Sequence, residues 1–189
     1  MWHLRRVPDP LPAGADAVVP PRVSPLASAL RLVLLRLRAR GRLRAGRRIL
    51  VARGARVAVA PGGSVRLGDE CVLAPGCRIE AAGGAVRIGA GARLGERSVI
   101  VALDEVTVGD GASIGAWGMV SDAAPGFADV EAPVRVQPLA PRPVRIGPGA
   151  RVGAHAAVLA GAVLRPGEVK GSYSVTGAEV GSAPRVSSP

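Results

Sequence analysis

Large aromatic side chains are almost absent from this chain. Phe, Tyr and Trp together make up 2% of its 189 residues, whereas 48% of the residues are hydrophobic. Aromatic rings supply much of the buried area in ordinary globular cores. The apolar interior of this protein must therefore be built from aliphatic and small side chains, which suits a narrow interior.

Reactive and metal-binding side chains are also scarce, since the chain has only two Cys and two His. We expect Cys71 and Cys77 to point inward on adjacent faces as reduced core residues, because a disulfide needs Cβ atoms that face one another. Two such thiols cannot assemble a metal cluster. The sequence also lacks an apolar run long enough for a membrane span and a signal peptide, so we expect a cytoplasmic protein.

Acidic residues are scarce at one end only. Residues 1–56 contain 13 Arg and two Asp, whereas the rest of the chain contains 12 basic and 12 acidic residues. The formal net charge of +11 therefore lies on the N-terminal part, and the remainder is neutral. A nucleic acid would need a basic surface on the body of the protein, so we expect no nucleic-acid partner.

What the chain has in abundance is a six-residue repeat, which indicates a parallel β-helix in which short strands stack from coil to coil. We therefore predict an all-β fold. Gly often follows the repeated aliphatic residue, and we expect it to adopt positive φ where the chain turns a corner. The repeated aliphatic residues of the central block are Leu67, Leu73, Ile79, Ile88, Leu94, Ile100, Val108, Ile114 and Val120.

The remaining segments divide the chain into four parts. Residues 1–25 contain six Pro and little periodicity, which predicts a flexible, extended Pro-rich arm. We assign residues 26–48 to a basic amphipathic helix or cap, residues 49–176 to the β-helix and residues 177–189 to a C-terminal tail. Residues 121–143 contain five Pro and no hexad, so they are predicted to form an excursion from the solenoid wall.

The only predicted helix runs from Leu26 to about Arg40, with Ser24 and Pro25 as its start signals and Gly41 as its stop. Two interpretations stay open. The helix caps the open first coil, where apolar rungs and unpaired strand edges would otherwise be exposed, or it attaches to an anionic membrane surface or an acidic partner. Its aliphatic residues are Leu26, Leu30, Val33, Leu34 and Leu37, and its opposite side holds Arg31, Arg36, Arg38 and Arg40.

The hexads, the segment from Val120 to Asp129 and the segment from Pro143 to Ala154 resemble the hexapeptide-repeat acyltransferases, in particular the branch of maltose and galactoside O-acetyltransferases. The resemblance covers residues 57–186. It implies a left-handed parallel β-helix, triangular in section, that assembles as a homotrimer. It also implies that acetyl-CoA or another acyl-CoA binds as co-substrate in the groove between neighbouring solenoids.

The sequence departs from this family at the expected general base. The family places a His in the excursion, but here Pro125 stands at that position and offers no proton acceptor. The remaining candidates for a catalytic group are Asp122 and His155, and the alternative for His155 is a solvated corner residue. Because His3 lies on the arm, the chain cannot supply the three-His zinc site of the γ-class carbonic anhydrases, which share this fold. We expect no metal.

The resemblance also implies a set of coenzyme contacts in the last coils. Lys170 and Arg185 would meet phosphates of CoA, or they are solvated surface cations. Trp117 is either a contact between subunits or part of the acceptor cleft. The predicted coenzyme-binding residues are Ala154, Lys170, Gly171, Ser172, Gly177 and Arg185.

Two functions follow from these observations. The first is an acyl-CoA-dependent acyltransferase, most simply an O-acetyltransferase, which acts on a sugar or another small-molecule acceptor. The second is a non-catalytic trimeric scaffold or partner-binding paralogue. The absence of the expected base favours the second function, because loss of a positioned base lowers the rate of catalysis by about 10²–10⁴-fold. Binding of acyl-CoA would favour the first function.

Overall fold

The computed structural model describes residues 23–124 and 139–177. They form one helix, α1 (Pro25–Arg38), followed by short strands in chain order. The strands are β1 (Leu43–Ala45), β2 (Leu50–Val51), β3 (Arg56–Val59), β4 (Ser64–Leu67), β5 (Val72–Leu73), β6 (Arg78–Ala81), β7 (Ala85–Ile88), β8 (Arg93–Leu94), β9 (Val99–Ala102), β10 (Glu105–Val108), β11 (Ser113–Ile114), β12 (Met119–Ser121), β13 (Val144–Ile146), β14 (Arg151–Val152), β15 (Ala157–Val158), β16 (Val163–Leu164), β17 (Val169–Lys170) and β18 (Val175–Thr176).

The strands build a solenoid with three parallel 6-stranded sheets, so the predicted parallel β-helix is confirmed. Each coil contributes one strand to each sheet, and we name the sheets A, B and C in the order in which the chain meets them. Sheet A starts with β1, sheet B with β2 and sheet C with β3. The turns between them are the A–B, B–C and C–A turns. The left hand of the solenoid stays a prediction from the family resemblance.

Aliphatic ladders fill the interior. The strand register places Leu67 beside Ile88 in sheet A and Ile79 beside Ile100 in sheet C. Small residues occupy the turns inside, as predicted, and Ala92 and Ala112 are fully buried. Because a two- to four-residue strand buries its inner face only against the neighbouring coils, the stability of each coil depends on the coils beside it.

The glycines that follow the aliphatic residues have a different role from the predicted one. Gly68 and Gly109 do not have positive φ, whereas Glu70 and Gly111, two residues further on, do. A Cβ on Gly109 would lie 2.5 Å from the backbone nitrogen of Pro148 in the next coil. These glycines are therefore required by the close approach of successive coils and not by φ.

Helix α1 covers the free edge of the first coil. The Ser28 hydroxyl donates to the carbonyl of Ile49 at 3.0 Å and accepts from the Val51 amide at 2.8 Å. Arg31 and Arg36 donate to the carbonyls of Val51 and Ala45. Unpaired backbone groups at a sheet edge are costly when they are buried, and these side chains satisfy them. The first strand begins at Leu43, upstream of the start predicted at Ile49, because β1 pairs with β4.

The orientation of the helix is the reverse of what its amphipathic pattern suggests. Its buried side is formed by Ser28, Leu35 and the adjoining Ala39. The five aliphatic residues that predicted the helix lie on the outer side and are exposed. In the described part of the chain, no helix has the length and apolar character that a membrane span requires.

The two cysteines are free and buried, as predicted. The Cys71 thiol donates to the carbonyl of Gly89 at 3.0 Å. Burial raises the pKa of the Cys71 thiol to about 11 and that of Cys77 to about 12. Both thiols are thus held in the protonated, unreactive form at neutral pH.

We therefore expect no reaction of either thiol with a disulfide reagent in the native protein at pH 8, and reaction of both after unfolding in urea. The thiolate is the attacking species, and the raised pKa leaves almost none of it. Absorbance of the released thiol, followed with and without urea, measures this. Rapid labelling of the native protein would contradict the buried position of both residues.

Candidate functional site

An exposed column of side chains runs along the B–C turn through four successive coils. The Arg97 guanidinium carbon lies 4.8 Å from the centre of the Trp117 ring. The Trp117 and His155 rings are 6.1 Å apart at 6°, and the His155 and Tyr173 rings are 4.9 Å apart at 2°. Trp117 and Tyr173 are 50% and 74% exposed. The column therefore presents a stack of nearly parallel rings to solvent.

All four residues of the column have positive φ, as do Gly54 and Gly76 at the same turn of the first two coils. For residues other than Gly, this conformation costs about 1–3 kcal/mol each. The offset stacking of the rings and the cation–π contact of Arg97 stabilise the arrangement.

The outer face of sheet C is apolar beside this column. Register pairs Val99 with Met119, Met119 with Ala157, and Ala157 with Val175. All four side chains point outward and are exposed or half-buried. In the first two coils the same sheet carries charged residues instead, such as Arg78 and Glu80, which form an ion pair. The apolar face is therefore confined to the later coils.

The root of the excursion, residues 121–124 and 139–143, lies at the other side of this face, on the C–A turn. The Ala140 amide donates to the Ala124 carbonyl at 2.8 Å, and the Arg142 amide donates to the Asp122 carbonyl at 2.9 Å. The two ends of the excursion thus lie side by side. The column, the apolar face and this root form one continuous surface, which we call the sheet C site.

Asp122 is buried at the root, and two backbone amides donate hydrogen bonds to its carboxylate. One carboxylate oxygen accepts from the Leu103 amide at 2.8 Å and the other from the Asp104 amide at 2.7 Å. Both amides belong to the preceding coil. This carboxylate therefore joins two coils at the point where the excursion leaves the wall. Such a role fits a structural group better than the catalytic role considered for it from the sequence.

The predicted coenzyme residues fall on two turns. Ala154, Gly171 and Ser172 are adjacent on the B–C turn, where the Tyr173 amide donates to the Ala154 carbonyl at 2.9 Å. Gly177 follows β18 at the C–A turn, across sheet C from them. Each of these residues therefore borders the sheet C site, although the two groups are separated by the width of the sheet.

Lys170 lies at the inward position of the last coil, in register with Val152. Its ammonium pairs with Glu168 at 2.9 Å. This hydrogen bond and the Arg165 amide lower the pKa of Glu168. The ammonium is thus already paired, and its direction into the solenoid end differs from that of an outward phosphate ligand.

His155 is exposed within the column, and its ring stacks on both sides. Pro125, Arg185 and His3 lie outside the described residues. Residues 23–124 and 139–177 contain no group of three or more His, Cys, Asp or Glu side chains that is arranged to hold a metal ion.

Sequence reasoning considered Trp117 and His155 separately and missed Arg97 and Tyr173. A signal for the column was nevertheless present. Each of the four residues follows the inward residue of its B strand by three positions, after Leu94, Ile114, Val152 and Lys170. Alignment of the hexads by coil would have placed them in one line.

The chain is similar in sequence to the probable acetyltransferase Rv3034c of Mycobacterium tuberculosis, with 32% identity over 97 residues. The match covers 51% of this chain and 32% of that protein, so the chain spans about a third of the length of this relative. No family model matches the chain.

Its structure is similar to that of AntD, an N-acyltransferase from Bacillus cereus. A variant of AntD in complex with dTDP and coenzyme A superimposes with a TM-score of 0.61 and 18% identity, over 81% of this chain and 78% of that chain. A second variant, in complex with dTDP-4-amino-4,6-dideoxyglucose and coenzyme A, has a TM-score of 0.56 and 19% identity, over 69% and 71%. The chain therefore has the β-solenoid fold of an N-acyltransferase and, over half of its length, sequence similarity to a probable acetyltransferase.

Proposed function

We propose that this protein is an acyl-CoA-dependent acyltransferase of the hexapeptide-repeat family that acts on a small-molecule acceptor at the sheet C site. One observation carries the proposal. An apolar strip lies between a stack of exposed rings and the root of a long excursion. The pantetheine arm of acyl-CoA carries methyl and methylene groups between its two amides, and the coenzyme ends in a nucleobase. The apolar strip offers a partner for the first and the rings offer a partner for the second.

The coenzyme is proposed to bind with its pantetheine arm along Met119 and Ala157. Its adenine would stack on the column, because base stacking on an aromatic ring contributes about 1–3 kcal/mol. The turn at Gly171 and Ser172 lies beside Tyr173, and a Cβ on Gly171 would meet no atom within 4 Å. In the homotrimer that the resemblance implies, a neighbouring solenoid would close this surface into a groove.

The proposed acceptor is an amine and not a hydroxyl, which revises the O-acetyl transfer suggested by the sequence. A hydroxyl must lose its proton to a positioned base as it attacks the thioester, whereas a neutral amine attacks with its own lone pair. The family's base position is Pro125, and the carboxylate of Asp122 is occupied by two amides. The AntD variant with an amino sugar nucleotide supports an acceptor of this class.

His155 is proposed to act as a stacking residue within the column. Its ring is parallel to those of Trp117 and Tyr173 within 6° and 2°, so its faces are covered and only the ring edge is open. Among the described residues no hydrogen bond orients its nitrogens. A general base is normally held by a second group, and this ring is held by stacking alone.

The second candidate function is a non-catalytic scaffold. It is favoured by the last coil, where Lys170 and Thr176 replace aliphatic residues at inward positions in register with Val152 and Val158. A coil with a polar interior is a weak support for a coenzyme. A scaffold of this kind would bind neither acyl-CoA nor acceptor.

Calorimetry with acetyl-CoA and free CoA, followed by a thiol-release assay, separates the two functions. We expect CoA binding, and release of thiol with amino sugars but not with their hydroxyl counterparts. Tyr173→Ala should weaken CoA binding about tenfold or more, since it removes the outermost ring of the stack. Val163→Ala, an exposed residue of the same coil on sheet A, serves as the matched control and should leave affinity unchanged. Absence of CoA binding in the wild type would rule out the enzyme.

A further inference from the structure

The outer side of helix α1 is an uninterrupted aliphatic surface. Leu26, Leu30 and Leu37 are 83%, 62% and 69% exposed, and Val33 and Leu34 lie between them. At 100° per residue the five side chains fall within an arc of about 100°, the width of a typical buried helix face. We call this surface the α1 outer face. A soluble protein rarely leaves such a contiguous aliphatic stripe in water.

The capping of the solenoid does not need this surface. The opposite side of the helix, with Ser28 and Leu35, already covers the first coil. Arg31 and Arg36 bind backbone carbonyls of that coil. The α1 outer face therefore has no partner among the described residues, and its five aliphatic side chains must be explained by something outside the solenoid.

A ring of arginines surrounds the capped end. Residues 23–58 contain ten Arg and no Asp or Glu. Arg44 lies on the outer face of sheet A, Arg47 on the A–B turn, Arg53 on the B–C turn and Arg56 on sheet C, and all are exposed. Exposed arginines thus occur on all sides of the first coil, next to the helix.

A basic groove continues this ring along sheet A. Register aligns Arg44 with Arg66, and Arg66 with Arg87. Together with Arg42 they line a surface groove of about 370 Å³. Successive strands are about 4.8 Å apart, so Arg44 and Arg66 repel one another, whereas Arg87 is paired with Glu105. An anionic partner at this end would relieve that repulsion.

We propose that the capped end of the solenoid docks onto an anionic lipid bilayer. The helix lies in the plane of the interface, with the α1 outer face toward the acyl chains and the arginine ring at the level of the headgroups. An apolar helix face flanked by basic residues is the pattern of interfacial membrane helices. Each basic residue near an anionic membrane adds attraction that salt weakens.

The positive charge of the capped end argues against a contact between two copies of the chain through this face. Two α1 outer faces in contact would bring two arginine rings together, in which Glu70 pairs with Arg48, and the remaining like charges would repel across the contact. A bilayer that contains anionic lipid offers both an apolar interior and negative headgroups. The lipid surface therefore complements both features of this end at once.

The test uses the full-length protein and co-sedimentation with vesicles. One set contains phosphatidylcholine alone, and the other contains phosphatidylcholine with phosphatidylglycerol. We expect binding to the anionic vesicles at low salt, reduced binding at high salt and much weaker binding to the neutral vesicles. Equal binding to both sets, or none to either, would overturn the proposal.

Paired variants locate the contact. Leu30→Ser with Leu37→Ser should reduce vesicle binding about tenfold or more, because each removes an exposed aliphatic group that would enter the interface. Val163→Ser with Val169→Ser, exposed aliphatics at the other end of the solenoid, is the matched control and should bind as the wild type does. Circular dichroism checks that both variants are folded.

The arginines are tested in the same way. Arg42→Gln with Arg44→Gln should reduce binding to anionic vesicles, whereas Arg145→Gln with Arg151→Gln, near the other end, should not. Light scattering of the unbound protein tests self-association. An oligomer that Leu30→Ser with Leu37→Ser disperses, without any vesicle binding by the wild type, would assign the α1 outer face to contacts between copies and overturn the lipid proposal.

Discussion

Replacement of Gly115 by alanine is expected to lower the free energy of unfolding by about 3 kcal/mol. The φ of Gly115 is not positive, so the alanine backbone is unstrained there. The cost arises because its Cβ would lie 2.5 Å from the backbone nitrogen of Ala154 and 2.6 Å from the carbonyl carbon of Gly153. Backbone atoms of the next coil cannot move aside as a flexible side chain would, so the coils must separate and the ladder between β11 and β14 is strained.

Gly171→Ala is the matched control for this experiment. Gly171 occupies the same turn position in the last coil, and a Cβ there would meet nothing within 4 Å. Its replacement should change the free energy of unfolding by less than about 0.5 kcal/mol. Urea unfolding of both variants, followed by circular dichroism, measures the difference. Equal shifts in the two midpoints would show that the close approach of coils does not explain the glycine.

Replacement of Asp122 by alanine is the second change with a large expected effect, a loss of about 3–5 kcal/mol in the free energy of unfolding. The variant leaves the half-buried amides of Leu103 and Asp104 without their acceptor. A hydrogen bond to a charged group contributes about 1.5–3 kcal/mol, and two are lost. Asp122→Asn should be nearly as harmful, because one of its side-chain positions becomes an N–H that faces a backbone N–H.

Asp69→Ala provides the comparison. Asp69 is exposed, and its carboxylate accepts from a single amide, that of Arg47, at 2.8 Å. Water can replace this partner, so the expected loss is about 1 kcal/mol or less. Thermal unfolding of Asp122→Ala, Asp122→Asn and Asp69→Ala ranks the three variants by their loss of stability. A melting temperature of Asp122→Asn equal to that of the wild type would contradict the role assigned to the two carboxylate oxygens.

The solenoid itself was predictable, because a single physical constraint repeats in every coil. Inward aliphatics such as Leu67 and Ile79 recur at six-residue spacing, and that period is typical of a parallel β-helix. The role of the glycines was not predictable in the same way. A small residue after Ile88 or Val108 fits either positive φ or a close backbone contact, and only the distance between coils distinguishes the two.

The orientation of α1 could not be predicted from its pattern. A stripe of leucines ordinarily marks the buried side of a helix. Here the exposed strand edge needs hydrogen-bond donors and acceptors more than it needs apolar area, and Ser28, Arg31 and Arg36 provide them. Whether polar or apolar groups satisfy an open coil depends on the geometry of its end, which the linear pattern does not contain.

The candidate site was predicted in part. The last coils and the excursion were identified, and the structure brings Ala154, Gly171 and Ser172 together. The column could not be predicted from its single positions, because its members lie in four different coils and only the stacking register of the strands aligns them. Lys170 was predicted to be either a CoA phosphate ligand or a solvated surface cation, and the register of β17 places it at an inward position.

The paired root of the excursion has an evolutionary consequence. Hydrogen bonds hold Ala124 and Ala140, which are 16 positions apart in the sequence, side by side. The entropic cost of closing such a loop grows only with the logarithm of its length. Insertions, deletions and exchanges in this segment can therefore accumulate without disturbing the stacked hexads. Under the proposed function, the coils that bind the acyl donor can stay unchanged while substitutions in the segment between Ala124 and Ala140 alter which acceptor is bound.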